Sequence, residues 1–246
     1  MSQDTVTDET GPPVERALVV AAHPDDIDFG AAGTVATWVE SGIDVRYCIV
    51  TDGDAGGFDL TVPRAEMATI RQDEQRAAAA AVGVTDVTFL GYPDGRLVVS
   101  IDLRRDISRA IRQVRPQRVL SPSPDRALDR LFASHPDHLA AGEATLCAVY
   151  PDSRNPFAHP ELLEAGFEPH VVAETWLMAG GTEPSVFVDV TKVFDQKWEA
   201  LRCHRSQLID PAETRTRVRG WMAATARAGG LPEGRLAEAF RVVQTA

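Results

Sequence analysis

A chain of 246 residues, 44% apolar and 25% charged, is long enough to bury one large core and is ordinary in composition for a globular protein. Its net charge of −11 is unevenly placed, with 17 acids against 6 basic residues in the first hundred positions and 19 against 19 in the rest, so neither nucleic acid nor an anionic membrane is an expected partner. Cys48, Cys147 and Cys203 show no CxxC spacing, and no run reads as a signal peptide or a membrane span, which points to a cytoplasmic protein with packed thiols.

In chain order, residues Met1 to Glu15 are polar and acidic and predict a disordered tail, ahead of a single domain over 16–246. A strand from Ala17 to Ala22 is followed by a helix from about Pro24 to Ser41, stopped by Gly42, and by a second strand from Asp44 to Thr51. After a Gly/Asp-rich loop to Thr61 come a helix from Pro63 to Val82, a strand from Val87 to Leu90, and the turn Gly91-Tyr92-Pro93-Asp94-Gly95. Leu103, Ile107, Ala110, Ile111 and Val114 mark one face of a further helix, whose Arg105, Arg109 and Arg112 read as a solvated side. Arg118 to Ser121, Val171 to Met178 and Val186 to Val190 read as strands, and helical segments from Thr191 complete the chain. This alternation predicts an α/β fold, a Rossmann-like three-layer sandwich with a mostly parallel sheet and a site beyond the carboxyl ends of its strands. No GxGxxG follows the first strand, because Gly30-Ala31-Ala32-Gly33 falls inside the predicted helix, so a nicotinamide or flavin site is disfavoured.

Two near-copies of one tetrapeptide stand out: His23-Pro24-Asp25-Asp26 and His135-Pro136-Asp137-His138, each after a strand-like run. Helix capping explains the prolines and most of the acids, since proline suits the first helical position and carboxylates complement the positive helix end. It does not explain three histidines, which that same positive end keeps neutral, the form that binds metal. Catalytic zinc takes three protein ligands and leaves a fourth position for water. The two tetrads therefore read as two halves of one metal site.

The first motif, Ala22 to Asp26 with Phe29-Gly30 behind it, resembles that of the LmbE-like deacetylases, the family of the GlcNAc-phosphatidylinositol de-N-acetylases. Thr51-Asp52-Gly53, Arg71 with Glu74, Leu90-Gly91 with Pro93-Asp94-Gly95, the second tetrad and His204-Arg205-Ser206-Gln207 recur in that family's order, so the resemblance covers about residues 17 to 207. It implies a zinc-dependent hydrolase, with one ion per chain and other divalent transition metals admitted, that removes an N-acyl group, usually acetyl, from an amino-sugar-containing small molecule. By resemblance, His23, Asp26 and His138 are the metal ligands and Asp25 the general base. His135 is the general acid or steadies the oxyanion, and Asp137 orients a neighbouring histidine. Arg71 and Asp94 resemble residues that hold sugar hydroxyls, although Arg71 could pair only with Glu74 and Asp94 could serve only its turn.

The chain departs from the pattern where Ile27-Asp28 replaces a glutamate after the two aspartates, and where Ala133 stands in place of a tyrosine before the second tetrad. The resemblance leaves a homo-oligomer open, and the membrane anchor of the eukaryotic members has no counterpart, which disfavours a lipid-linked substrate. Three other readings remain. A mycothiol-conjugate-type amidase would use the same site. A phosphohydrolase would clamp a magnesium-like ion with Asp26 and Asp28 as a DxD pair and Asp52 and Asp54 nearby, leaving His135 and His138 idle. An inert sugar-binding module would have no use for Asp25.

Overall fold

The computed structural model describes residues 13–128, 131, 134–178 and 183–246. The elements run β1 (Arg16–Ala21), α1 (Asp26–Gly30), α2 (Ala32–Glu40), β2 (Asp44–Thr51), α3 (Arg64–Ala81), β3 (Asp86–Tyr92), α4 (Ile101–Val114), β4 (Arg118–Pro122) and α5 (Pro136–Cys147). Then follow α6 (Pro160–Glu164), β5 (Glu174–Met178), β6 (Val186–Asp189), α7 (Phe194–Leu201), α8 (Pro211–Ala228) and β7 (Ala237–Gln244). They form one sheet in the order β3-β2-β1-β4-β5-β7-β6. The pairings from β3 through to β5 are parallel, and β7 is antiparallel to both its neighbours.

Strand pleating explains why the sheet needs cover on both faces. Ala17, Val19 and Ala21 of β1 enter a core shared with Val35 of α2, Ala78 of α3, Leu201 of α7 and Met222 of α8, whereas Leu18, Val20 and Ala22 enter a second core with Ile107 of α4 and Ala144 of α5. The order also fixes where the site falls. β1 lies between β2 and β4, so the chain leaves β1 toward one side and β4 toward the other, opening a crevice at their carboxyl ends. The first tetrad follows β1 and the second follows β4.

Three expectations from the sequence are corrected. The single helix from Pro24 to Ser41 is two helices, broken at Ala31 (φ −146°, ψ −2°), and Pro24 and Asp25 precede the first of them. Lys197 of α7 donates to the α1 carbonyls of Asp28 and Phe29, both at 2.8 Å, while Glu238 of β7 accepts from the α2 amides of Gly33 at 3.0 Å and Thr34 at 2.7 Å. Lys197 and Glu238 are paired at 2.7 Å, so a buried ion pair closes both helix ends at the break. Gly33 is needed there, because a Cβ would come within 2.9 Å of Val190 Cβ. Secondly, a strand, β7, follows α8 where only helix was expected; Ala237, Glu238 and Phe240 are its buried residues, and the glutamate hides the strand pattern. Thirdly, Arg112 is buried rather than solvated and donates to the carbonyls of Asp152, Ser153, Asn155, Ala158 and Phe167.

Most of the expected tail, residues 1–12, and Ala133 lie outside the described residues. Glu15 donates its N–H to Gln117 Oε1 and accepts from Asp44 N–H. Among the described residues no helix is long and apolar enough to cross a membrane, and all three cysteines are free.

Candidate active site

At the end of β1 the backbone turns sharply, and Asp25 adopts φ 104°, ψ −25°, a left-handed conformation costly for a residue with a Cβ. Its N–H is taken by Gln75 Oε1 at 2.8 Å, and its carbonyl accepts from Asp28 and Phe29 as α1 begins. Arg71, one turn before Gln75 on α3, donates to the carbonyls of Pro24 and Gly53 and lies 3.2 Å from the Asp25 carboxylate. In the second tetrad Pro136 opens α5 as expected, but the His135 side chain, which capping was not expected to explain, itself caps the helix by accepting Asp137 N–H at Nδ1, 3.2 Å away.

The two segments meet through their side chains. His138 Nε2 lies 2.9 Å from Asp26 Oδ1 and 3.2 Å from His23 Nδ1, and His23 Nδ1 lies 3.5 Å from Asp26 Oδ2. Tetrahedral ligands about 2.0–2.2 Å from one ion are about 3.3–3.6 Å apart, so these separations, in which Asp26 offers Oδ1 to His138 and Oδ2 to His23, fall at or just inside the edges of such a shell. On the opposite edge of the His23 ring, Nε2 is 3.2 Å from both Asp137 Oδ2 and Asp94 Oδ1. Asp137 is fixed in turn by the N–H groups of Gly95 at 2.7 Å and Leu97 at 3.1 Å. A proton held at Nε2 by two carboxylates leaves the Nδ1 lone pair facing Asp26 and His138, which is how a carboxylate partner orients a ligating imidazole.

The charges support the same fit. Four carboxylates, Asp25, Asp26, Asp94 and Asp137, crowd around His23. Burial opposes its protonation, but the Asp26 charge and hydrogen bonds to Asp137, Asp26 and Asp94 prevail and push its pKa up to about 12. The cluster thus calls for a cation, and a His₂Asp set suits a zinc-like ion. Burial raises the Asp25 carboxyl to about 6 despite the opposing Arg71 charge, with Asp26 adding to the rise. His135 is exposed and stays neutral, its pKa lowered by burial of part of the ring and by the charge on His23.

His23, Asp25, Asp26, Asp94, Asp137 and His138 lie together, and the His135 ring packs edge-on to His23 with centroids 4.8 Å apart. Arg71 is buried and linked to Asp25 and, at 3.6 Å, to Asp94; Glu74 is bonded to Ser206 instead of to Arg71. The Asp26/Asp28 clamp does not form, because Asp28 is fully buried with Oδ2 2.7 Å from His204 Nε2 and 2.9 Å from Gln75 Nε2. Asp52 accepts from Gln72, and Asp54 pairs with Arg64. Among the described residues, the groups whose ligand atoms all lie within 4.8 Å of one another are His23 with His135 and His138, and His23 with Asp94 and Asp137; Asp26 belongs to neither. The sequence reading assigned nothing to Gln75, Lys197 or Glu238; the one local signal was the spacing of Gln75 from Arg71 on one helix face.

The relatives of this chain, taken with its donor cluster, define a metal-dependent deacetylase. Residues 18–149 match the family model described as GlcNAc-PI de-N-acetylase. The diacetylchitobiose deacetylase of Thermococcus kodakarensis is 34% identical over 79% of this chain and 70% of its own, and a probable N-acetyl-alpha-D-glucosaminyl L-malate deacetylase 2 of Bacillus cereus is 32% identical over 85% and 92%. The structure of N,N'-diacetylchitobiose deacetylase from Pyrococcus horikoshii superposes with a TM-score of 0.86 at 29% identity, covering 94% of this chain and 84% of the other. The 4-oxalmesaconate hydratase of Pseudomonas putida is also similar, at 29% identity over 79% and 75%. The chain belongs to the GlcNAc-PI de-N-acetylase family.

Proposed function

We propose that the protein removes the acetyl group from the nitrogen of an N-acetylglucosamine-type small molecule, using zinc held by His23, Asp26 and His138. The convergence of those three side chains, with contacts of 2.9–3.5 Å between them and the Asp25 carboxylate beside them, is the observation that carries this reading. Bound there, zinc supplies Lewis-acid polarisation of the amide carbonyl and acidifies the attacking water.

The protein's own groups do the rest. Asp25 takes a proton from the attacking water, and a carboxyl near 6 is matched to that task at neutral pH. The same proton then passes to the departing amine, which leaves free acetate and the amino sugar. His135 accepts Asp137 N–H at Nδ1, so its proton sits on Nε2, and that N–H donates to the developing oxyanion. Asp137 holds the His23 tautomer. Asp94 accepts a ring hydroxyl of the sugar, and Arg71 acts by holding Asp94 and Asp25 in place. The acidic charge favours a small uncharged substrate over nucleic acid or an anionic lipid surface, and a cytoplasmic setting fits the free thiols.

Amine release by the zinc-loaded protein, measured across N-acetyl sugars, N-acetyl amino acids and thiol conjugates, tests the reading. Release from N-acetylglucosamine compounds above all others is expected. Faster cleavage of acetylated amino acids would overturn the substrate class, and no amine release from any amide, given the hydratase among the relatives, would overturn the reaction.

A further inference from the structure

Asp25 and Asp26 are anchored separately. The Asp26 carboxylate is held by His23 N–H at 2.8 Å, within the tetrad itself. Arg71 faces the Asp25 carboxylate, but the Asp25 N–H is held by a chain of side chains that reaches to α3 and to the segment after α7: His204 Nε2 to Asp28 Oδ2 at 2.7 Å, Gln75 Nε2 to the same oxygen at 2.9 Å, and Asp25 N–H to Gln75 Oε1 at 2.8 Å. His204, Asp28 and Gln75 are all fully buried. The polarity of the chain is determined. Because Asp28 presents a carboxylate, Gln75 must turn its NH₂ toward Asp28, and its oxygen is then left for Asp25 N–H.

We infer that Gln75, oriented by Asp28 and His204, is a positioning residue that holds Asp25 in its left-handed conformation and so aims the base, without serving the metal. The inference rests on Asp25 being the base. Without an acceptor, the buried Asp25 N–H is left unpaired and the backbone is released toward negative φ, which swings its carboxylate away from the attacking water. Asp26 keeps its own anchor. Loss of Gln75 therefore acts on turnover and leaves metal binding intact. His204 lies outside residues 18–149, so the C-terminal part of the chain takes part in aiming the first tetrad.

The test is a polarity swap. Gln75→Leu is expected to lower kcat about 10- to 100-fold, the scale of a small misplacement of a catalytic group, with KM within about twofold of wild type. Zinc content by elemental analysis should stay at the wild-type level, and a crystal structure should show Asp25 at negative φ. Gln75→Glu should fail likewise, since it sets two carboxylates against each other. Adding Asp28→Asn should restore most of its kcat, because the asparagine NH₂ can donate both to the new carboxylate and to a neutral His204. Wild-type kcat in Gln75→Leu, retention of positive φ, or zinc loss in parallel with activity overturns the inference. If Gln75→Leu does not fold, a double variant no better than Gln75→Glu overturns it. Full turnover in Asp25→Asn instead removes the base reading, whereas an inactive Asp25→Asn beside an unimpaired Gln75→Leu removes this inference alone.

Discussion

Replacing Lys197 with Met isolates the contribution of the buried ion pair behind the active site. The ammonium is fully buried and donates at 2.7–2.8 Å to Glu238 Oε1 and to the carbonyls of Asp28 and Phe29. Methionine fills nearly the same space, so cavity formation contributes little. What remains is a buried Glu238 charge supported, among the described residues, by the Gly33 and Thr34 amides, together with two α1 carbonyls deprived of their donor. Breaking a buried pair in this way costs about 3–5 kcal/mol. For a domain of this size each kcal/mol lowers Tm by about 2–4 °C, so a fall of roughly 6–20 °C is expected by calorimetry. Glu238→Gln, which keeps an acceptor for both the lysine and an amide, should cost less than Lys197→Met. A change in Tm below about 2 °C for Lys197→Met would refute the view that this pair holds the helix break.

His138→Ala should remove most bound zinc while circular dichroism shows the fold retained, and stoichiometric zinc in the variant would refute the ligand assignment. Asp25→Asn should keep zinc and lose kcat by about 10²-fold or more. Because Asp25 acts as a base only when ionised and its pKa is raised to about 6, kcat/KM of the wild type should rise with pH through about 6 and level above it; a flat profile from pH 5 to 7 would move the base elsewhere. Asp94→Ala should lower kcat/KM on the best sugar about 5- to 150-fold, the effect of leaving one substrate hydroxyl without its hydrogen-bond acceptor in a buried site, and a silent variant would remove Asp94 from substrate binding.

Much of the fold was legible because local periodicity reports burial. β2 was expected over Asp44 to Thr51 and is found there, and α3 was expected one residue longer at each end than the Arg64–Ala81 observed. The pairing of the two tetrads was legible from their likeness. Their meeting was decided by topology: β1 and β4 are adjacent, and that adjacency at the reversal of strand order brings His23 and Asp137, 114 positions apart, to 3.2 Å. No local pattern encodes such a pairing. The same limit explains the other differences. Arg112, Lys197, Glu238 and Asp28 are charged residues whose burial is tolerated only because partners from remote segments satisfy them. Read alone, each looks like a surface residue. The helix break at Ala31 has the same origin, since a continuous helix would satisfy its own amides and carbonyls, and it is Lys197 and Glu238 that take over those groups at the break. The residues of one strand or helix determined that element, its apolar faces and the chemistry of each tetrad. Tertiary structure alone decided which charged groups could be buried, where α1 ends, and that Asp25 is held in a conformation its own sequence does not favour.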